Sequence, residues 1–125
     1  MNTKIASSYI PYAWEVAEGL TRTNRHISLV FIGKQLVATG TNERKTHPLA
    51  IKYQYLYPDV HSELSAFVKC KHLGYQNPLS LVNYHFNRQG VLKMARPCKR
   101  CFIWTIHAFD EIWYSVPDGF IKMNY

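Results

Sequence analysis

Apolar residues recur along this chain at two different periods. Ala13, Val16, Ala17 and Leu20 fall at helical spacing and predict a helix from about Tyr9 to Leu20. A polar loop, Thr21 to Arg25, follows. Ile27 to Ile32 is an apolar, β-branched run, and Gln35 to Thr39 continues it beyond a tight Gly33-Lys34 turn. The two runs predict an antiparallel hairpin. Gly40 to Val60 shows no period and reads as a long irregular segment. Loops of that length inside a small domain are usually functional or disordered.

Helical spacing returns at His61 and ends at Gly74, a plausible C-terminal cap, with Leu64, Phe67 and Val68 on the inner face. Leu79 to Phe86 predicts a strand, Asn87 to Gly90 a turn, and Val91 to Ala95 an extended return. Pro97 opens another helix, a position where proline is well tolerated. That helix runs to about Ala108, with Phe102, Ile103 and Ile106 expected inside. Glu111 to Ser115 is a fourth strand. Val116 to Gly119 is a turn, and Phe120 to Met123 fits a short fifth strand. Trp14, Trp104 and Trp113 are expected in the core. Together these elements predict an α/β domain with a mixed sheet of about five strands and helices on its faces.

Length and composition narrow this picture. The 125 residues fit one domain, 1–125, built on one core. With 47% hydrophobic residues, disordered and collagen-like classes are excluded. No apolar run is long enough to cross a bilayer, and the first residues lack the apolar stretch of a signal peptide. A cytoplasmic location is therefore expected. The net charge of +7 suggests an anionic partner.

The three cysteines change the picture most. An odd count argues against a disulfide framework. Cys98 and Cys101 sit three apart at the start of a predicted helix, so both sulfurs share one helical face and can share an ion. The electropositive helix N-terminus favours their thiolates. His61 opens the other inward-facing helix, and if the two helix starts meet it completes a three-ligand site. Three protein ligands leave one coordination position open for water, which the metal acidifies. Glu63, two residues beyond His61, can reach that water without binding the metal and can move its proton. A structural zinc site or a redox pair are the alternatives. A structural site would need a fourth ligand, Cys70 or a spare histidine, and Cys70 falls beyond the first turn of its helix, away from the expected cluster.

His61-Ser62-Glu63 followed by Pro97-Cys98-Lys99-Arg100-Cys101 is the motif pair of zinc deaminases. On these residues, and on the order of elements over most of the chain, the protein resembles the cytidine deaminase-like superfamily. The resemblance implies a three-layer α/β/α fold with an antiparallel N-terminal hairpin. It implies zinc on His61, Cys98 and Cys101, with Glu63 as proton carrier. It implies hydrolysis of an exocyclic amine, at C4 of cytosine or C6 of adenine.

Asn42, at the end of the second strand, is expected by the same resemblance to bind substrate, although an Asx-type turn is an equally ordinary use. Backbone groups at Ala95 and Arg96 are expected to contact the base. Tyr114 begins a loop that governs substrate choice in the superfamily; it could stack on a base or simply close the strand. Arg44 and Lys45, with His47 beside them, could hold a 5′-phosphate. Arg22 and Arg25 form a second basic cluster. His26, His72, His85 and His107 carry no motif and read as surface or satisfied core residues.

The segment Thr39 to Pro48 resembles small deaminases encoded by phages. That implies nucleotide salvage and, for a phage protein, the host cytoplasm. Only a short turn fits between the last two strands, which favours an antiparallel final strand, as in the branch acting on free cytidine. Editing and deoxycytidylate deaminases usually insert a helix there and have a parallel strand, whereas the net charge of +7 suits a phosphate-bearing substrate. The expected substrate is a free pyrimidine nucleoside or nucleotide, deoxycytidine or, in close competition, dCMP. The alternatives are editing of single-stranded DNA or RNA, which needs a basic groove with stacking aromatics such as those between Tyr53 and Tyr57, and a non-catalytic zinc-stabilised subunit. Homo-oligomers are common in the superfamily, and one is expected here.

Overall fold

The computed structural model describes residues 1–21, 23–42 and 61–124. The helix expected from about Tyr9 to Leu20 is present, and a short helix that the spacing did not predict precedes it. Helix α1 spans Thr3–Ser8 and α2 spans Ile10–Glu18. Asn2 caps α1 by accepting the Ile5 N–H at 3.0 Å. The chain breaks at Tyr9, because Pro11 has no N–H to continue a helix but fits the first turn of a new one. Ala13 and Ala17 are buried as the spacing required.

Strands β1 (Arg25–Ile32) and β2 (Gln35–Thr41) form the expected antiparallel hairpin. Helix α3 is Ser62–His72, and Gly74 beyond its cap adopts φ +81°, a left-handed conformation that glycine takes without a Cβ clash. Strands β3 (Ser80–Phe86) and β4 (Leu92–Lys93) precede helix α4 (Lys99–Ala108), and β5 (Glu111–Val116) and β6 (Gly119–Lys122) complete the order.

The sheet has six strands in the order β2-β1-β3-β5-β6, with β4 paired to β3 beyond the reach of β5. Strands β3 and β5 are parallel, joined through α4, and all other pairs are antiparallel, including the final β5–β6 pair. The mixed sheet is thus as expected, with one short strand more.

Alternation along β1 and β3 sorts the core into two layers. Ile27, Leu29 and Phe31 with Val82, Tyr84 and Phe86 face α1 and α2. The Tyr84 hydroxyl donates to the Ala6 carbonyl at 2.7 Å and pins α1 to that layer. Val30, Leu81, Ile112 and Tyr114 face the other way, against Leu64 and Ala66 of α3 and Trp104 of α4. Both faces of the central strands are covered, which makes the three-layer α/β/α arrangement.

One inner face differs from expectation. Ile103 is 58% exposed, while Cys101, Trp104 and Thr105 are buried. The face of α4 is set by Cys101, and three and four residues on from it fall Trp104 and Thr105. The apolar reading through Ile103 was offset by one residue.

Close approach positions α3. A Cβ on Gly40 of β2 would fall onto the Ser62 carbonyl oxygen and the Ala66 nitrogen, and 2.9 Å from the Ala66 Cα. Only glycine lets the first turn of α3 lie on the sheet at this point.

Candidate metal centre and its cleft

His61 and Cys98 are the N-cap residues of α3 and α4. Their helices start side by side, which brings together three donors separated by 37 and 40 positions in sequence. Cys98 Sγ lies 3.3 Å and Cys101 Sγ 3.4 Å from His61 Nδ1. All three ligand atoms lie within 4.8 Å of one another. Ordinary zinc–sulfur and zinc–nitrogen bonds in a tetrahedron separate N and S donors by roughly 3.5 Å. One imidazole and two thiols at this spacing therefore fit a divalent metal such as zinc, with a fourth position left for a small ligand. Cys70 is buried in the core and outside this group.

The electrostatics agree with metal ligation. The Cys98 thiol is pulled down to about 4, chiefly by a hydrogen bond from the Cys101 thiol and also by His61 and the Cys101 N–H, against an opposing effect of burial. That amide donates to Cys98 Sγ at 3.4 Å, so the sulfur serves as the helix cap. Cys70 shows the opposite case, since burial pushes its thiol up to about 11.

Glu63 sits in the first turn of α3 and is 6% exposed. Burial, and to a lesser degree the neighbouring Cys98, pushes its carboxyl above the usual carboxylate range, while its backbone hydrogen bond, His61 and Ser62 pull the other way. Its two oxygens are held by a buried polar group that the sequence pattern did not single out. Ser62 Oγ donates to Glu63 Oε1 at 3.3 Å, and Asn83 Nδ2 donates to Glu63 Oε2 at 3.2 Å. Asn83 Nδ2 also donates to the Ala95 carbonyl at 3.4 Å. Ser28 Oγ donates to Asn83 Oδ1 at 2.7 Å and lies 2.8 Å from Ser62 Oγ. Ser28 and Asn83 are direct cross-strand partners on β1 and β3. A serine and an asparagine at inward positions of two apolar strands were the available signal.

A cleft of about 480 Å³ opens over this group. It is lined by His61, Ser62, Glu63 and Cys98 together with Asn42, Ala95 and Arg96, and by Thr21, Thr23, Asn24 and His26. The structure thus places Asn42, Ala95 and Arg96 around one cavity with the metal-ligand group. The Asn42 amide is committed to the wall: Oδ1 accepts the His26 N–H and Nδ2 donates to the Asn24 carbonyl, each at 3.1 Å. No Asx turn is needed to explain it.

Tyr114 is not brought to the cleft among the described residues. It is buried in the core between Asn83 on β3 and Ile121 on β6. Arg44, Lys45, His47, Arg22 and the tyrosines from Tyr53 to Tyr57 lie outside the described residues. Arg25 lies over the Trp14 ring, 5.8 Å from its centroid. His26 is more than a surface residue, since it lines the cleft and stacks on His85 with ring centroids 4.1 Å apart.

No protein-family model and no curated protein sequence matches this chain. Solved structures do. A cytidine deaminase from Mycobacterium tuberculosis superposes with a TM-score of 0.59 at 14% identity, covering 90% of this chain and 86% of that one. A cytidine deaminase from Mycobacterium leprae gives 0.57 at 17% identity, over 93% and 87%. A dCMP deaminase from the cyanophage S-TIM5 gives 0.57 at 16% identity, over 93% and 86%, and its complex with dCMP and dUMP gives 0.55. The chain has the cytidine deaminase-like fold.

Proposed function

We propose that this protein is a zinc-dependent hydrolytic deaminase. It converts the cytosine of a free nucleoside or nucleotide, deoxycytidine or dCMP, to uracil and releases ammonia. One observation carries the reading: the His61, Cys98 and Cys101 donors converge beside a buried carboxylate, Glu63, at the wall of a cleft of nucleotide size. A redox pair would not need the histidine, and a structural zinc site has four protein ligands. No fourth ligand is present among the described residues.

When bound, zinc supplies a Lewis acid that makes water acidic near neutral pH. The chain's own residues do the rest. Glu63 takes the proton of the attacking water and delivers protons to the ring nitrogen and the departing amine. Ala95 and Arg96 border the cleft next to Cys98, and their backbone is suited to reading the edge of the base. Asn42 holds the Asn24 and His26 backbone and so shapes the far wall, where the sugar would lie. Arg44 and Lys45 remain candidates for the phosphate by charge alone.

Two observations favour a free substrate. The β5–β6 turn is short and its strands antiparallel, so no helix is inserted there. Solved structures sharing the fold include enzymes for cytidine and for dCMP. The net charge of +7 favours a phosphate-bearing substrate and supports the second reading, an editing enzyme for single-stranded DNA or RNA.

A substrate panel tests these readings. Zinc-loaded protein is offered cytidine, deoxycytidine, CMP, dCMP, adenosine and a cytosine-containing single strand, and ammonia is measured. Release from deoxycytidine or dCMP is expected. Release from the oligonucleotide alone would replace the free-substrate reading with the editing one.

A further inference from the structure

The buried amide beneath Glu63 has a complete hydrogen-bond account. Asn83 is 3% exposed and offers two N–H donors and one carbonyl oxygen. One donor goes to Glu63 Oε2, the other to the Ala95 carbonyl, and the oxygen accepts from Ser28. Nothing is left over. The three partners belong to three different parts of the fold: the first turn of α3, the irregular segment leading into α4, and β1. Ser28 is itself fully buried, so its hydroxyl has no water to turn to.

This arrangement has a direction. The Ala95 carbonyl can only accept, so the amide nitrogen must face it and Glu63, and the amide oxygen must face β1, where the Ser28 hydroxyl lies within reach of both Asn83 Oδ1 and Ser62 Oγ. The reverse amide orientation would set the amide oxygen against two acceptors, the Glu63 carboxylate and the Ala95 carbonyl. A fixed amide then fixes the carboxylate. Glu63 Oε2 is held from below, Oε1 is held by Ser62, and one rotamer remains. The same amide ties that carboxylate to Ala95, whose residue lines the cleft beside Cys98. Asn83 thus bridges the proton carrier and this wall, while the Ala95 N–H donates to the Ser115 carbonyl at 2.9 Å and ties the wall to β5.

We infer that Asn83 is a positioning residue of the deaminase site, with Ser28 beside its amide oxygen: it holds the Glu63 carboxylate against the segment at Ala95 at the separation at which the proton transfer takes place. The inference rests on the deaminase reading above for its consequence in turnover, but not for the contact itself. Small displacements of a proton-carrying group cost orders of magnitude in rate while leaving substrate binding largely alone.

The test is Asn83→Leu, near in shape but without an amide, with Ser28→Ala as a milder second variant. Each is measured for kcat, KM, bound zinc and Tm, alone and in the Glu63→Gln background. Asn83→Leu is expected to lower kcat by about 10- to 100-fold with KM within about threefold and one zinc still bound. Ser28→Ala is expected to lower kcat in the same direction, by about 3- to 10-fold. In the Glu63→Gln background neither variant should lower the residual turnover further, because the group they position is gone. An unchanged kcat in Asn83→Leu, or equal losses in both backgrounds, overturns the inference and makes Asn83 a structural residue only. Should Asn83→Leu fail to fold, Ser28→Ala decides on the same readouts. If the wild type deaminates nothing, the functional reading fails separately. The stability cycle then decides on the contact: the Tm losses of Asn83→Leu and Glu63→Leu, which removes the acceptor, must fall short of additivity by about 2 °C or more, and additive losses reject it.

Discussion

The chemistry of individual side chains here follows from where burial and partners place them. Two cysteines of the same chain illustrate it. Cys98 accepts hydrogen bonds at a helix N-terminus and is held down to about 4, whereas Cys70 is enclosed by apolar neighbours and pushed up to about 11. Metal-free protein at pH 6 should therefore carry a thiolate at Cys98 and a thiol at Cys70. Alkylation by iodoacetamide at pH 6 is expected to modify Cys98 and spare Cys70, and added zinc should protect Cys98. Peptide mapping checks this; equal labelling of both residues would contradict the electrostatics described. At this scale the sequence was informative wherever a motif named the residue. His61, Glu63, Cys98 and Cys101 were legible because metal chemistry restricts residue types and spacing. Ser28 and Asn83 were not singled out, since a single polar residue in an apolar strand shows only that it needs a partner, and the partner lies 55 positions away.

At the scale of elements, the period of the apolar residues located every described strand except the two-residue β4, and the two helices that carry the metal ligands. It failed where a local rule overrode the period. Helix α1 was missed because Ala6 is its one buried residue and gives no visible stripe, and Pro11 separates it from α2. The inner face of α4 was displaced because its sequence Cys101-Phe-Ile-Trp-Thr-Ile106 is apolar nearly all round. Only the Cys98–Cys101 pair marks which side faces the site. The contact of Gly40 with the first turn of α3 was invisible for a related reason, since a glycine after a strand reads equally as a turn. That contact makes a prediction. Gly40→Ala must push α3 away from the sheet and with it His61 and Glu63. A loss of about 1–3 kcal/mol in unfolding free energy is expected, together with weaker zinc retention. Chemical denaturation and metal titration measure both, and wild-type values in both would show that the helix is not so closely seated.

For the whole molecule, two helix starts, each capped by a metal ligand, meet over the middle of a sheet whose central strands are covered on both faces. The site is thus a product of the topology: β3 and β5 are parallel, α4 must cross between them, and its N-terminus arrives beside that of α3. Among the described residues no helix is long and apolar enough to cross a membrane. The substrate is less legible than the reaction. On the proposed reading the reaction would rest on four residues of fixed chemistry, and substrate choice on cleft walls where threonine, asparagine and histidine serve many ligands equally well. Net charge discriminates by salt dependence. If the phosphate of dCMP is recognised, KM for dCMP should rise with added salt while that for deoxycytidine changes little. Equal salt dependence for both would remove the phosphate from the account.

The central claim is that Glu63, beside the His61, Cys98 and Cys101 centre, carries the protons of a hydrolytic deamination. The most direct measurement is ammonia release from deoxycytidine and dCMP by zinc-loaded wild type and Glu63→Gln, with bound zinc determined on the same samples. The account predicts turnover to the uracil product by the wild type, one zinc per chain in both proteins, and a loss of roughly 100- to 10,000-fold in the variant. Near-normal turnover by Glu63→Gln with zinc in place would contradict it.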